Sequence, residues 1–267
     1  MFNFYSRFFA GTESMKRRLR LRKMGYIRDQ QGIINRYLRE KENWEFHLQK
    51  TREFILQSAG NKDKNMAVVL GSGWLLDIPL DELARDFNNV VLYDILHPSQ
   101  IKKRIEKYPN VKCKKADLTG GLTDSLYEIV NDKNRDRLLV ESFSGYSFDF
   151  PGRPDFVISC NILSQMGSLL IDFLKKKKIF TEKELNRLEQ IIQLNHLEML
   201  PEGKSCLITD YEEELYTAED EFAGTKPLLK VKLPMDEADK YWQWKFDTQM
   251  RYREKFMTYL NMTGKEI

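Results

Sequence analysis

The chain has 267 residues, 42% of them hydrophobic and 31% charged, with a formal net charge of +3. That is a globular composition, and the near balance of charge excludes binding of polyanions by bulk charge alone. Three scattered cysteines (Cys113, Cys160, Cys206) exclude a disulfide framework or cysteine-rich zinc site, and three histidines (His47, His97, His196) form no metal-binding spacing, so no metal is expected.

Basic charge collects at the start, where residues 1–28 hold eight Lys or Arg against one acid, Glu13. With Phe2, Phe4, Tyr5, Phe8 and Phe9 beside it, this segment offers a weak peripheral membrane contact, and a solvated, frayed terminus is the plainer expectation. No apolar run reaches the roughly 18–20 residues of a membrane span. The nearest, 156–171, carries Ser159, Asn161, Ser164, Gln165 and Ser168, so a cytoplasmic location is the default expectation.

Residues 24–58 place apolar side chains at three-to-four spacing (Ile34, Leu38, Leu48, Ile55) and read as helix, with Gly32 dividing it in two. Such helices could lid a site, mediate a dimer or cover a sheet. Residues 58–65 read as a loop. The expected domain plan is a basic, helical extension over 1–60 and an α/β domain over 61–267.

Strands and helices then alternate. Strands are expected at 66–70, 89–95, 111–118 (half-exposed or edge), from 154, and at 205–212. Helices are expected at 80–87 (Pro79 near its start), 97–110 (Ser99 as N-cap), 123–132 and 166–200. The last is broken at Lys175–Lys178, a solvated helix end, before a capping box at 181–184. Residues 228–234, 241–246 and 255–260 alternate as closing strands, with Trp242 and Trp244 on one face as core or closing-edge packing. The expected architecture is Rossmann-like and doubly wound: a mainly parallel seven-stranded sheet, helices on both faces, and an N-terminal helical segment.

In such sheets the ligand lies beyond the carboxyl ends of the strands. The first strand ends in Gly71-Ser72-Gly73, where glycine permits a tight turn and close ligand approach. The second ends in Asp94-Ile95, whose carboxylate can accept two ribose hydroxyls. The third ends in Asp117-Leu118, suited to an adenine amine and its ring, or to capping the next helix. The fourth ends in Ser159-Cys160-Asn161. Cys160 reads as a buried small residue, and His97 as a ribose contact, a helix cap or a simply exposed residue.

These motifs resemble those of class I S-adenosylmethionine-dependent methyltransferases over about residues 66–215. "VVLGSG" is similar to the first motif, "VVLYDI" to the second, "KKADLTG" to the third and "PDFVISCNILSQM" to the fourth. The resemblance implies S-adenosylmethionine as cofactor, held by Gly71, Ser72, Gly73, Asp94, Ile95, Asp117, Leu118, Cys160 and Asn161. It implies methyl transfer to a small-molecule or carbohydrate-like acceptor. Nucleic-acid bases are disfavoured, because the fourth motif lacks the Asn-Pro-Pro-aromatic form. Two departures stand out. Val69 occupies the place of the family's acid, for which Asp77 is a conjectural replacement, and Leu75 occupies the third glycine's place, where it is expected to narrow the room beside the loop. The alternatives are a catalytically inactive binding or scaffold module, and a NAD(P)-dependent oxidoreductase, which Leu76 disfavours by standing where GxGxxG needs glycine.

Methyl transfer needs alignment and exclusion of water more than a fixed triad. Tyr146, Asn161 and Gln165, with Asp149 and Arg153, are the candidate catalytic residues. The aromatic, Gly/Ser-rich stretch 142–155 is expected either as a loop over the crevice or as an ordinary connection.

Overall fold

The computed structural model describes residues 15–132, 139–234 and 236–267; the aromatic run from Phe2 to Phe9 lies outside them. Buried aliphatic runs make the strands β1 (Met66–Leu70), β2 (Asn89–Asp94) and β4 (Phe156–Cys160), with β3 (Val111–Lys115) on the edge and half-exposed. They join β5 (Ser205–Tyr216), β6 (Phe222–Pro227), β7 (Lys240–Asp247) and β8 (Met257–Glu266) in an eight-stranded mixed sheet. Its order is β3-β2-β1-β4-β5-β8-β7, with β6 paired only to β5. Strands β1 to β5 run parallel, and β8 runs antiparallel to both β5 and β7.

The sheet has eight strands against the seven expected for it, and of the strands expected individually the one at 228–234 is absent. Its alternation has another use: Val231 is buried, while Leu228 and Lys230 donate single backbone bonds to Tyr211 O and Gln193 Oε1. The added strand β6 is exposed along almost its whole length and carries no period-two signal.

Period-two alternation splits β1 between two cores. Ala67 and Val69 join a cluster beneath α1 (Tyr26–Ala59), α2 (Leu80–Asp86) and α3 (Ser99–Ile105). Val68 and Leu70 join one beneath α4 (Leu122–Asn131), α5 (Ser168–Lys177) and α6 (Glu182–Glu198). Helices therefore cover both faces. The capping box starts α6: Glu184 N–H donates to Thr181 Oγ1 at 3.2 Å, and Thr181 N–H to Glu184 Oε2 at 2.7 Å. Lys175–Lys178 end α5 in solvent. Ser99 does not cap α3; Pro98 holds that position and the Ser99 hydroxyl turns to Gln100.

Residues 15–24 are also helical, and their basic charge is partly spoken for. Arg17 pairs with Asp124 at 3.1 Å, and Arg20 with Glu128 at 2.7 Å, both on α4. No helix among the described residues is long and apolar enough to cross a membrane.

The break expected at Gly32 in α1 falls instead at Glu40 (φ −104°, ψ 17°). Glu40 is buried, and its carboxylate gathers the loop after β7: Oε1 accepts from Thr248 and Gln249 N–H at 3.2 Å each, and Oε2 from Thr248 Oγ1 at 2.8 Å. Glu40→Ala leaves two backbone donors unmatched. An expected loss of about 2–3 kcal/mol follows. Urea titration checks it, and a loss below ~0.5 kcal/mol, the scale of an ordinary surface change, is the contrary result.

Candidate active site

The carboxyl ends of β1, β2, β4 and β5 open into one cavity of about 600 Å³. It lies between β1 and β4, where the chain winds outward in opposite directions and ligands of doubly wound sheets bind. The N-terminal half of α1 lines it through Tyr26, Asp29, Gln30 and Ile33. Trp74 Nε1–H donates to Gln30 O at 2.7 Å and Gln30 Nε2 to Leu96 O at 2.9 Å, clasping α1 to the glycine turn and the end of β2. Of the roles open to this helix, it walls the site from Tyr26 as far as Leu48, and its second half also covers the sheet.

The turn after β1 requires its glycine. Gly71 has φ +71°, and a Cβ there would stand 2.7 Å from Ile162 Cδ1. Gly73 N–H donates to Asp94 Oδ2 at 2.8 Å, and Leu96 N–H to Asp94 Oδ1 at 3.0 Å. Each carboxylate oxygen keeps capacity for one more donor. Burial raises Asp94 from its ordinary 3.8 to about 6. Ser72 lines the cavity, and its buried hydroxyl lies 3.1 Å from His97 Nε2. His97 is therefore a prop behind the turn, not a ribose contact, a helix cap or an exposed residue, and burial lowers it to about 4.

The two departures from the family motif resolve differently. Val69 is fully buried in the first core. Leu75 adopts φ +52°, a glycine-like conformation, yet its side chain is buried in the same core and does not line the cavity. The expected narrowing does not occur.

Asp117 lines the cavity and caps α4. Its Oδ1 accepts from Thr119 N–H (3.1 Å), Thr119 Oγ1 (2.7 Å) and Thr123 Oγ1 (3.1 Å), and its Oδ2 from Thr123 N–H (3.1 Å). Only Oδ2 has room for a ligand donor. Ile95 and Leu118 supply apolar wall beside it, and Gln165 lines the cavity beyond β4.

Asn161, at the end of β4, has φ +52°, which asparagine tolerates better than most residues. Its Nδ2 lies 2.7 Å from Asp77 Oδ2 and 3.2 Å from His47 Nε2. Trp242 Nε1–H donates to His47 Nδ1 at 3.0 Å, and the imidazole stacks on Trp244 with centroids 3.9 Å apart. Burial lowers His47 to about 3. Cys160 Sγ donates to Asp77 Oδ2 at 3.3 Å, and burial next to that carboxyl drives the thiol well up, away from nucleophilic use.

The 142–155 stretch lies elsewhere. Ser147 backbone crowds Gly120, where a Cβ would approach within 2.5 Å, and Phe148 meets Tyr93 edge-on at 5.1 Å. Tyr146 packs in the second core, and none of Tyr146, Asp149 or Arg153 lines the cavity. Asp210, at the close of the apolar run in β5, does line it, accepting from Ser164 Oγ, with its carboxyl raised by burial. No strand-end rule marks it, because β5 runs on to Tyr216. Beyond Asp210, Glu213 and Arg253 form a two-pronged pair at 2.8 and 3.0 Å, beside Trp244, Phe246 and Tyr252. Eight acidic and five basic residues line the cavity in all. Among the described residues no cluster of His, Cys, Asp or Glu is arranged for a metal.

No family model and no curated protein matches the chain. The chain is similar in structure to S-adenosylmethionine-dependent methyltransferases. One is a 1,6-didemethyltoxoflavin-N1-methyltransferase of Burkholderia thailandensis with bound 1,6-didemethyltoxoflavin and S-adenosylhomocysteine: 12% identity over 89% of this chain and 86% of that one, TM-score 0.40. A second is the 23S rRNA methyltransferase ErmE, with 10% identity over 82% and 68% and a TM-score of 0.31. A third is the glycopeptide N-methyltransferase MtfA complexed with S-adenosylmethionine, with 13% identity over 81% and 70% and a TM-score of 0.30.

Proposed function

We propose that the protein binds S-adenosylmethionine in this cavity and transfers its methyl group to a small-molecule or carbohydrate-like acceptor. The observation that carries the reading is the meeting of the Gly71–Gly73 turn, the half-free Asp94 carboxylate and the Leu118 wall in one cavity at the switch point. Asp94 would accept the ribose hydroxyls, Ile95 and Leu118 would flank the adenine, and Asp117 Oδ2 would take the adenine amine. The acid-rich lining suits a ligand bearing a sulfonium and an ammonium. The cavity has the size of a small-ligand site.

The acceptor would enter beside Trp244, Phe246 and Tyr252. Displacement at the methyl carbon then needs alignment, and removal of a proton where the nucleophile is a hydroxyl or ammonium. Asp210 stands where it could take that proton, with Ser164 orienting it.

Calorimetric titration with S-adenosylmethionine and S-adenosylhomocysteine tests the reading, with binding of both expected. No binding of either at millimolar concentration overturns it. Binding with no turnover over a panel of hydroxyl and amine acceptors marks instead the non-catalytic binding module.

A further inference from the structure

The group around Asp77 joins three distant segments, and its hydrogens can be counted. An indole nitrogen only donates, so His47 Nδ1, 3.0 Å from Trp242 Nε1, holds a lone pair. A neutral imidazole has one N–H, which therefore sits on Nε2; a charged ring would leave Trp242 without its acceptor. The Asn161 atom 3.2 Å from Nε2 must then accept, and the accepting atom of an amide is its oxygen. Amide orientation follows from such networks, and here the network places oxygen where nitrogen would leave two donors facing each other. That same atom is 2.7 Å from Asp77 Oδ2. Two oxygens at that distance share a hydrogen, and only Asp77 can supply it. In either orientation the other Asn161 amide atom is buried without a partner, so that cost does not choose between them.

The surroundings agree. The titratable and charged groups facing Asp77 are Arg52 from α1 and the Cys160 thiol from β4, with neutral His47 behind Asn161. Arg52 is turned to Leu76 O. Burial lifts the Asp77 carboxyl above its ordinary range, against the Cys160 hydrogen bond and the charge of Arg52, and with the Asn161 oxygen turned to it no amide donor pulls it back down.

We propose that Asp77 is a neutral carboxylic acid in the free protein and the docking point for the ammonium group of the methyl donor, ionising as that cation arrives. The inference rests on the donor reading above. The Asp77 O–H bond breaks, the proton passes to solvent, and the carboxylate swings from the Asn161 oxygen to the ammonium, while His47 keeps Asn161 in place. An acid thereby serves from the turn after the glycines, where Val69 leaves the usual position apolar.

The experiment titrates the full chain with S-adenosylhomocysteine at pH 7 in buffers of different ionisation enthalpy, where Asp94, titrating near 6, is already mostly ionised. The wild type is expected to release close to one proton per ligand bound. Asp77→Asn is expected to release almost none and to bind at least tenfold more weakly. Infrared difference spectra of the ligand-free proteins give a second readout: a protonated carboxyl band present in the wild type and missing in Asp77→Asn. Wild-type binding without buffer dependence, unchanged affinity in Asp77→Asn, or no such band each overturns the Asp77 assignment while the donor reading stands. Failure of the wild type to bind overturns the donor reading and the ligand named here with it.

Discussion

Asp94→Asn is expected to weaken binding of S-adenosylmethionine by about 100-fold or more. The carboxylate accepts one backbone N–H on each oxygen, from Gly73 and from Leu96. An amide has a single oxygen, so one of those donors meets an NH2 group, and the turn and the ribose compete for the acceptor that remains. Hydrogen bonds to a charged group contribute about 1.5–3 kcal/mol each, and two are compromised. The pH dependence has a definite sign. Asp94 in the free protein titrates near 6, and ribose hydroxyls favour its ionised form. The Asp94 contribution to affinity should be level above about pH 6 and fall as pH drops below it, by up to about tenfold per unit, on top of the rise with pH that proton release from Asp77 brings. That step should vanish in Asp94→Asn.

Stability should run the other way. A carboxyl raised from 3.8 to about 6 contributes stability that is present below about pH 4 and lost as pH rises through about 6. Between those limits the wild type should lose unfolding free energy relative to Asp94→Asn. Equal affinities of the two proteins at pH 7 would remove Asp94 from the site.

The strands were legible where burial on both faces left an unbroken apolar run, as at Met66–Leu70 and Phe156–Cys160. Elsewhere, structure is set by partners far along the chain. The break in α1 sits at Glu40 because that carboxylate holds Thr248, 208 residues on, whereas Gly32 has open space around it and no such partner. Strand β6 is written in residues that bury nothing, so its pairing to β5 leaves no hydrophobic period. At the site, the turn at 71–73 and the acid at 94 could be placed by local rules, since both end predictable strands. Leu75 could not: a local rule asks for glycine, but burial of its side chain sustains the positive φ. Asp210 closes a fifth strand that continues into "YEEEL" without a turn, and so looks like mid-strand. The His47–Asn161–Asp77 network draws on α1, β4 and the turn after β1, and no spacing in the sequence encodes it.

Trp44→Ala should carry the largest loss of stability, about 3–5 kcal/mol. The indole is buried in the second half of α1, stacked on Phe246 with centroids 5.7 Å apart and edge-on to Trp244 at 4.7 Å. Its Nε1–H donates to Phe246 O at 2.9 Å, so truncation also strips a buried carbonyl of its partner. For a chain of this size that loss corresponds to a fall in Tm of roughly 6–20 °C. Because Trp44 and Trp244 both line the cavity, collapse around the void should also disturb the wall on which His47 stacks. Binding should weaken at temperatures where the variant is still folded. Urea unfolding with an unchanged m-value isolates the stability change, and calorimetry below the transition isolates the binding change. A variant that loses stability but binds like the wild type would show that α1 supports the sheet without shaping the site. A loss under ~1 kcal/mol would contradict the docking of α1 on β7 itself.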